Sequence, residues 1–177
     1  MKRLALAVVY VAIGLFLVFV IGGYVLPGTS HVERQAAIAA PPEKVFAIIG
    51  DLRRSGEWSP WFALDPALAV SYEGTGPGIG QKMSWRSDKP EVGNGSQTVT
   101  GYTENQKVDW ALDFGDMGQA TAGMVLVPEG QGTRVTWSFR TELNSMFERW
   151  LGLMFDRWIG ADYERGLANL KALAEKP

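Results

Sequence analysis

Val135-Thr136-Trp137-Ser138-Phe139-Arg140-Thr141-Glu142-Leu143-Asn144-Ser145-Met146-Phe147-Glu148-Arg149-Trp150-Leu151-Gly152-Leu153-Met154-Phe155 changes its hydrophobic period part-way along. Val135, Trp137 and Phe139 alternate with polar residues, the pattern of a strand with one wet face. From Phe147 the large apolar residues recur at three- and four-residue steps, through Trp150, Leu151, Met154, Phe155, Trp158 and Ile159 and on to Tyr163, Leu167, Leu170 and Leu173. That is the period of an amphipathic helix, roughly 30 residues and about 45 Å long at the α-helical rise. Asn144 or Ser145 is placed to cap it. Gly152, Gly160 and Gly166 each cost ~1 kcal/mol relative to Ala in a helix, so they either interrupt it or let a bulky group approach its surface.

Upstream of this switch the chain reads as successive strands. Ala122, Met124 and Leu126 share one face; Val108, Trp110, Leu112 and Phe114 alternate with Asp109, Ala111 and Asp113. Met83 and Trp85, then Val70 and Tyr72, repeat the pattern, and Gln97 to Tyr102 forms another strand after Gly93-Asn94-Gly95. Asn94-Gly95-Ser96 has the form of a glycosylation sequon but is more simply a turn. Glu104-Asn105-Gln106-Lys107 is a tight polar turn. Period two with charges between hydrophobes predicts an antiparallel sheet. His31 to Ala39 reads as the first strand. Pro41 and Pro42 then open a helix with Glu43 near its positive end, and Glu57 to Phe62 forms a second short piece. The fold class expected is α+β, with the long helix packed along the concave sheet face.

The first residues are a different material. Leu4 to Leu26 holds no charge and no Asn, Gln, Ser, Thr or His, and Met1, Lys2 and Arg3 precede it. As a helix that run is roughly 34 Å long, against ~30 Å of bilayer hydrocarbon. It is too long for the usual signal-peptide core of ~7–15 residues, and it lacks the polar face of a soluble core helix. Residues 1–27 are therefore expected to be a single-pass transmembrane signal anchor, 28–31 a linker, and 32–177 one domain. Lys2 and Arg3 outweigh Arg34, which has Glu33 beside it, so the N-terminus is expected in the cytoplasm and the domain on the periplasmic or other extracytoplasmic side.

Composition excludes several chemistries. Without Lys2 and Arg3 the chain has 15 basic and 19 acidic residues, so no basic excess exists to displace counterions from nucleic acid. Cysteine is absent and His31 is the sole histidine. Thiol nucleophiles, disulfides, Cys/His zinc sites and a Ser-His-Asp triad are all excluded. No metal and no cofactor are expected. The glycine-rich run Gly74 to Gly80 lacks the spacing and the Lys-Ser/Thr of a phosphate loop and reads as a strand connection.

Four stretches carry a family resemblance: Ile38 to Phe46 with Glu57-Trp58-Ser59-Pro60-Trp61; Tyr72 to Gly80 with Trp85; Gly132 to Trp137; and Asp162 to Lys171. In this order and spacing they resemble the polyketide cyclase/dehydrase-like branch of the START-like (SRPBCC) superfamily, over about Val32 to Lys176. The resemblance implies a helix-grip fold: an antiparallel sheet wrapped around a long C-terminal helix, two short helices after the first strand, and a hydrophobic cavity between sheet and helix. Members of the family bind lipids, sterols, polyketides or other apolar ligands, and a minority are enzymes.

The cavity candidates are Trp58 and Trp61 at a mouth, Met83, Trp85, Trp110, Met124, Trp137 and Phe139 on inward strand positions, and Trp150, Met154 and Trp158 on the helix. Their placement depends on strand parity, which one β-bulge reverses. Three functions remain open. One is a membrane-anchored binding domain for an apolar small molecule or lipid. Another is a cyclase or dehydratase using a carboxylate or Tyr102, with Glu57 the first acid to test. The third is a protein-interaction domain with a filled core. Asp109 and Asp113 are expected to face water, and Asp156 and Arg157 to form a solvated ion pair.

Overall fold

The computed structural model describes residues 2–177. Helix α1 (Lys2–Val25) comes first, then β1 (Thr29–Ile38), α2 (Pro42–Ile49), a 3-10 turn (Leu52–Glu57) and α3 (Pro60–Leu64). Six strands follow: β2 (Ala69–Glu73), β3 (Lys82–Arg86), β4 (Gly95–Thr103), β5 (Lys107–Asp113), β6 (Gln119–Glu129) and β7 (Gly132–Glu142). Helix α4 (Met146–Ala174) closes the chain. The sheet is antiparallel in the order β1-β7-β6-β5-β4-β3-β2, so the α2–α3 segment carries the chain from one edge to the other. This is the α+β helix-grip architecture, with one apolar helix in front of it.

The connection after α1 is shorter than expected. Strand pairing begins at Thr29 opposite Glu142, so the chain between α1 and the sheet is Leu26–Gly28 rather than a linker over 28–31. The Gly28 carbonyl accepts from the Leu143 amide at 2.8 Å, tying this connection to the end of β7.

Inward strand positions are the ones the alternation marks. Val32, Phe139, Ala122, Trp110 and Val99 form one cross-strand row, and Trp137, Met124, Val108 and Tyr102 the next. A register shift between Val99 and Gly101 makes Thr100 the extra residue of a bulge. The bulge reverses parity along β4, so Val99 and Tyr102, three apart, both point inward. Asn105 occupies the left-handed region (φ 59) in the turn before β5, an arrangement Asn tolerates well.

Helix α4 is continuous through its three glycines. Ser145 caps it: its hydroxyl accepts from the Glu148 amide, and the Glu148 carboxylate accepts from the Ser145 and Asn144 amides. These bonds hold the Glu148 carboxyl below its ordinary value. The glycines mark close approaches. Gly160 lies under the Arg34 guanidinium, and Gly166 lies against the Trp137 ring and Pro60.

The helix does not present one continuous apolar stripe to the sheet. Phe155, Ile159, Tyr163, Leu167, Leu170, Leu173 and Ala174 pack on the core, whereas Phe147, Trp150, Leu151, Met154 and Trp158 do not. Successive steps of three and four run through both sets, so the sequence joined two faces into one. Trp150, Met154 and Trp158 were expected over the sheet; they lie off it because the face that buries the second half of α4 begins at Phe155.

An added Cβ at Gly166 would stand 2.6 Å from Trp137 Cζ3 and 3.2 Å from Pro60 Cδ. Helix propensity alone favours Gly166→Ala by about 1 kcal/mol, but overpacking costs about 1–3 kcal/mol. Denaturant unfolding followed by tryptophan fluorescence is expected to show Gly166→Ala destabilised. Gly76→Ala, where nothing lies within 4 Å, should leave stability unchanged. A more stable Gly166→Ala would show that α4 does not sit so close to the sheet.

Candidate functional site

The densest aromatic cluster joins the α2–α3 segment, β7 and α4. Tyr163 stacks on Trp137, ring centroids 3.7 Å apart and planes 11° apart. Trp58 meets Trp137 edge to face at 5.2 Å, and Trp61 meets both Trp137 and Tyr163 the same way, at 6.0 and 6.3 Å. Asn169 of α4 donates to the Trp58 carbonyl at 3.1 Å and holds this segment against the helix. Burial pushes the Tyr163 phenol far above its ordinary value, so it stays neutral and able to donate.

Three indole donors in this interior are orphaned. The Nε1–H groups of Trp58, Trp110 and Trp137 are buried with no acceptor among the described residues. An unsatisfied buried donor costs about 1–3 kcal/mol, so three in one core call for an explanation. Trp110 projects from the middle of the sheet beside Ala122, with Phe139 on the other side of that alanine. Small Ala122 between these rings, and Ala120 one row along, keep β6 low, where larger side chains would fill the space between sheet and helix.

The sequence-derived candidates separate into three groups. Trp58, Trp61 and Trp137 come together, with Tyr163 as a fourth member that the sequence reading placed only in the helix stripe. Met83, Trp110, Met124 and Phe139 are buried on the same inner face, and Trp85 is half-buried against Phe114, 6.0 Å away. Trp150, Met154 and Trp158 stand apart. Trp150 stacks on Phe19 of α1 at 6.2 Å, and its indole donates to the Phe19 carbonyl at 3.0 Å.

Two open recesses lie on the domain surface, and neither is the interior cavity that the resemblance implies. One, of about 450 Å3, lies at the end of β1 among Ala37, Gly132 and Lys171. The other, of about 580 Å3, lies among Pro42, Thr103, Lys107 and Val127. Neither touches the tryptophan cluster.

Arg34 is the principal charged group on the inner side. It shares parity with Val32, Ala36 and Ile38, and its guanidinium donates from Nε to Glu164 at 2.7 Å and from Nη1 to Asp156 at 2.9 Å. Nη2 donates to the Asp156 carbonyl at 3.1 Å and Nη1 to the Glu33 carbonyl at 2.9 Å. Asp156 thus pairs with Arg34 rather than with Arg157. The inward parity of an arginine between aliphatic residues on β1 was the available signal for this clamp.

The carboxylates among the acid/base candidates are already engaged by other groups. Glu57 accepts from Arg54 at 2.7 and 2.6 Å, and this pair lowers its carboxyl below the ordinary value. Asp109 pairs with Lys107 at 2.9 Å on the outer face, and Asp113 accepts from the Gly115 amide at 2.9 Å. Tyr102 packs edge to face on Phe46 at 4.9 Å, its phenol raised by burial. No group of three or more His, Asp or Glu among the described residues could hold a metal ion.

Residues 29–175 match the model of the family described as polyketide cyclase / dehydrase and lipid transport. The chain belongs to that family. Among curated protein sequences nothing matches. Solved structures share the fold at low identity. Protein CV1439 from Chromobacterium violaceum is 14% identical with a TM-score of 0.62, over 84% of this chain and 99% of that one. The di-domain ARO/CYC StfQ of the steffimycin biosynthetic pathway is 13% identical with a TM-score of 0.63, over 83% of this chain and 51% of its own. Ara h 8.0201 is 13% identical with a TM-score of 0.60, over 83% and 98%. Start-like architecture, inner aromatic face and family membership agree with one another.

The Arg34 clamp has a pH signature. Arg34 holds the Asp156 carboxyl below the ordinary aspartate value of 3.8. A carboxyl whose folded-state pKa is depressed contributes stability above its unfolded value and loses it as pH falls through the folded one. In detergent solution, Asp156→Asn should unfold at a lower temperature than the parent at neutral pH, the gap narrowing as pH drops below about 3.8. A gap that does not change with pH would show that Asp156 is not ionically engaged.

Proposed function

We propose that this protein is a membrane-tethered binding domain that holds an apolar small molecule or lipid, bearing at least one hydrogen-bond acceptor, between the sheet and α4. The observation that carries this reading is the set of orphaned indole donors of Trp58, Trp110 and Trp137 on an otherwise apolar inner face. A carbonyl, ester or ether oxygen on a bound molecule supplies the missing acceptor, and the surrounding rings and aliphatic side chains accommodate its hydrocarbon. Support also comes from the family description, which includes lipid transport, and from the place of StfQ in a biosynthetic pathway. Access to the cluster requires α4 or the α2–α3 segment to shift, since neither recess reaches it.

The tether is α1, the one helix among the described residues long and apolar enough to cross a membrane. The positive charge of Lys2 and Arg3 favours a cytoplasmic start for this helix, with the domain on the opposite side. A second reading, a protein-interaction domain with a filled core, is favoured by the position of both recesses away from the tryptophans.

Binding of a dibrominated long-chain ketone, compared with the dibrominated alkane of the same length, separates these readings through quenching of tryptophan fluorescence in the full chain in detergent. The ketone is expected to quench saturably and more tightly than the alkane. Trp110→Phe, which keeps an aromatic ring and removes the N–H, should weaken the ketone by about three- to tenfold, the range for one neutral hydrogen bond, and leave the alkane unaffected. Absence of saturable quenching by either probe, with native mass spectrometry of the purified chain finding no bound molecule, would favour the filled core.

A further inference from the structure

The outer face of α4 changes character half-way along. Phe147, Leu151, Met154, Trp158, Asp162, Arg165 and Asn169 lie at successive steps of three or four and so share one line on the helix. The first four are large and apolar and the last three polar: Asp162 and Arg165 pair with each other, and Asn169 holds the α2–α3 segment at Trp58. Phe147 is 62% exposed and Trp158 50%. Leu151 and Met154 are half-buried between Phe147 and Trp158, and large apolar side chains exposed to this extent at both ends of one line mark an interaction surface.

Topology places that patch next to α1. Strand β1 begins where α1 ends, and Thr29 pairs with Glu142 at the end of β7, from which α4 starts. The β5–β6 loop lies at the same end of the sheet, and its Met117 is 73% exposed. Contacts between the helices step back from the end of α1. Met146 packs at Gly23, Arg149 donates to the Gly23 carbonyl at 3.0 Å, and Trp150 covers Gly22 and donates to the Phe19 carbonyl. Phe19 is six residues before Val25, about 9 Å along the helix axis. If α1 crosses a bilayer up to Val25, Trp150 lies within about 9 Å of the hydrocarbon edge, close to the boundary at which tryptophan is enriched.

We infer that the first half of α4, through the line Phe147, Leu151, Met154 and Trp158, is seated in the surface of the bilayer that α1 spans, with Met117 reaching the same surface. The domain is thereby held in one orientation on the lipid rather than swinging on a three-residue connection. Arg157, exposed and without an ion pair among the described residues, flanks the apolar line where lipid phosphates lie. Asp156 is neutralised by Arg34 on the protein side, which leaves the lipid side without an uncompensated carboxylate. The inference rests on α1 spanning the membrane.

The absence of cysteine makes every single-cysteine variant a unique reporter. The full chain, reconstituted in vesicles of phosphatidylethanolamine and phosphatidylglycerol, is spin-labelled at Phe147→Cys, Met154→Cys or Trp158→Cys. Tyr10→Cys in α1 tests the span. Ile79→Cys, equally apolar and exposed but on the loop at the opposite end of the sheet, tests non-specific partitioning of the label. Collisions with oxygen are expected to exceed those with a water-soluble nickel chelate several-fold at positions 10, 147, 154 and 158, and to fall below them at 79. Lipid exposure at 10 with water exposure at 147, 154 and 158 would overturn the seating of α4 while leaving α1 a membrane span. Water exposure at 10 as well would overturn both.

Discussion

Gly160 and Gly166 allow α4 to lie where larger residues would hold it away, the first beneath the Arg34 guanidinium and the second against the rings of Trp137. The rest of the domain is arranged around that close seat. Arg34, on an edge strand, satisfies its fork of donors with two carboxylates of α4 and two main-chain carbonyls, and so fixes the rotation of the helix about its axis. The stack of Tyr163 on Trp137 fixes its height. Each glycine costs about 1 kcal/mol of helix propensity, which the contacts it permits offset.

Once the rotation is set, both ends of α4 have their roles. Tyr163, Leu167 and Leu170 are turned onto the core, closing the aromatic cluster with Trp58 and Trp61. The same rotation turns Phe147, Leu151, Met154 and Trp158 away from the sheet, on the side where α1 meets the domain. The two halves of a single helix therefore carry different faces, one aromatic and turned onto the core and one apolar and turned away from it, with the Arg34 clamp between them. Surface ion pairs of this exposure contribute modestly to stability; what Arg34 supplies is geometry.

The inner face shows a similar division. Van der Waals packing alone would have been served by phenylalanine or leucine at 58, 110 and 137, since a buried indole N–H without a partner is a liability. Three such groups on the inner side give the interior a polar demand that its described residues do not meet. The carboxylates weighed as acids or bases have partners already, in Arg54, Lys107 and the Gly115 amide.

Period two in the strands, the capping signal at Ser145, the turns at Glu104 and Gly74, and the single long apolar run were all legible in the sequence, because each depends on neighbours a few residues apart. So was the family, through four ordered stretches. The sequence alone thus determined the α+β class, most inward strand positions and the presence of a helix able to cross a membrane. What only the tertiary structure decided was which face of α4 meets the sheet. Trp150, Met154 and Trp158 obey the same three-four spacing as Tyr163 and Leu167, and a periodicity tells that residues share a side without telling what lies opposite. The start of the first strand at Thr29 and the pairing of Asp156 with Arg34 were hidden for the same reason. Local spacing records the geometry of one element, whereas the partner of a face depends on contacts more than a hundred residues away, such as Arg34 with Asp156.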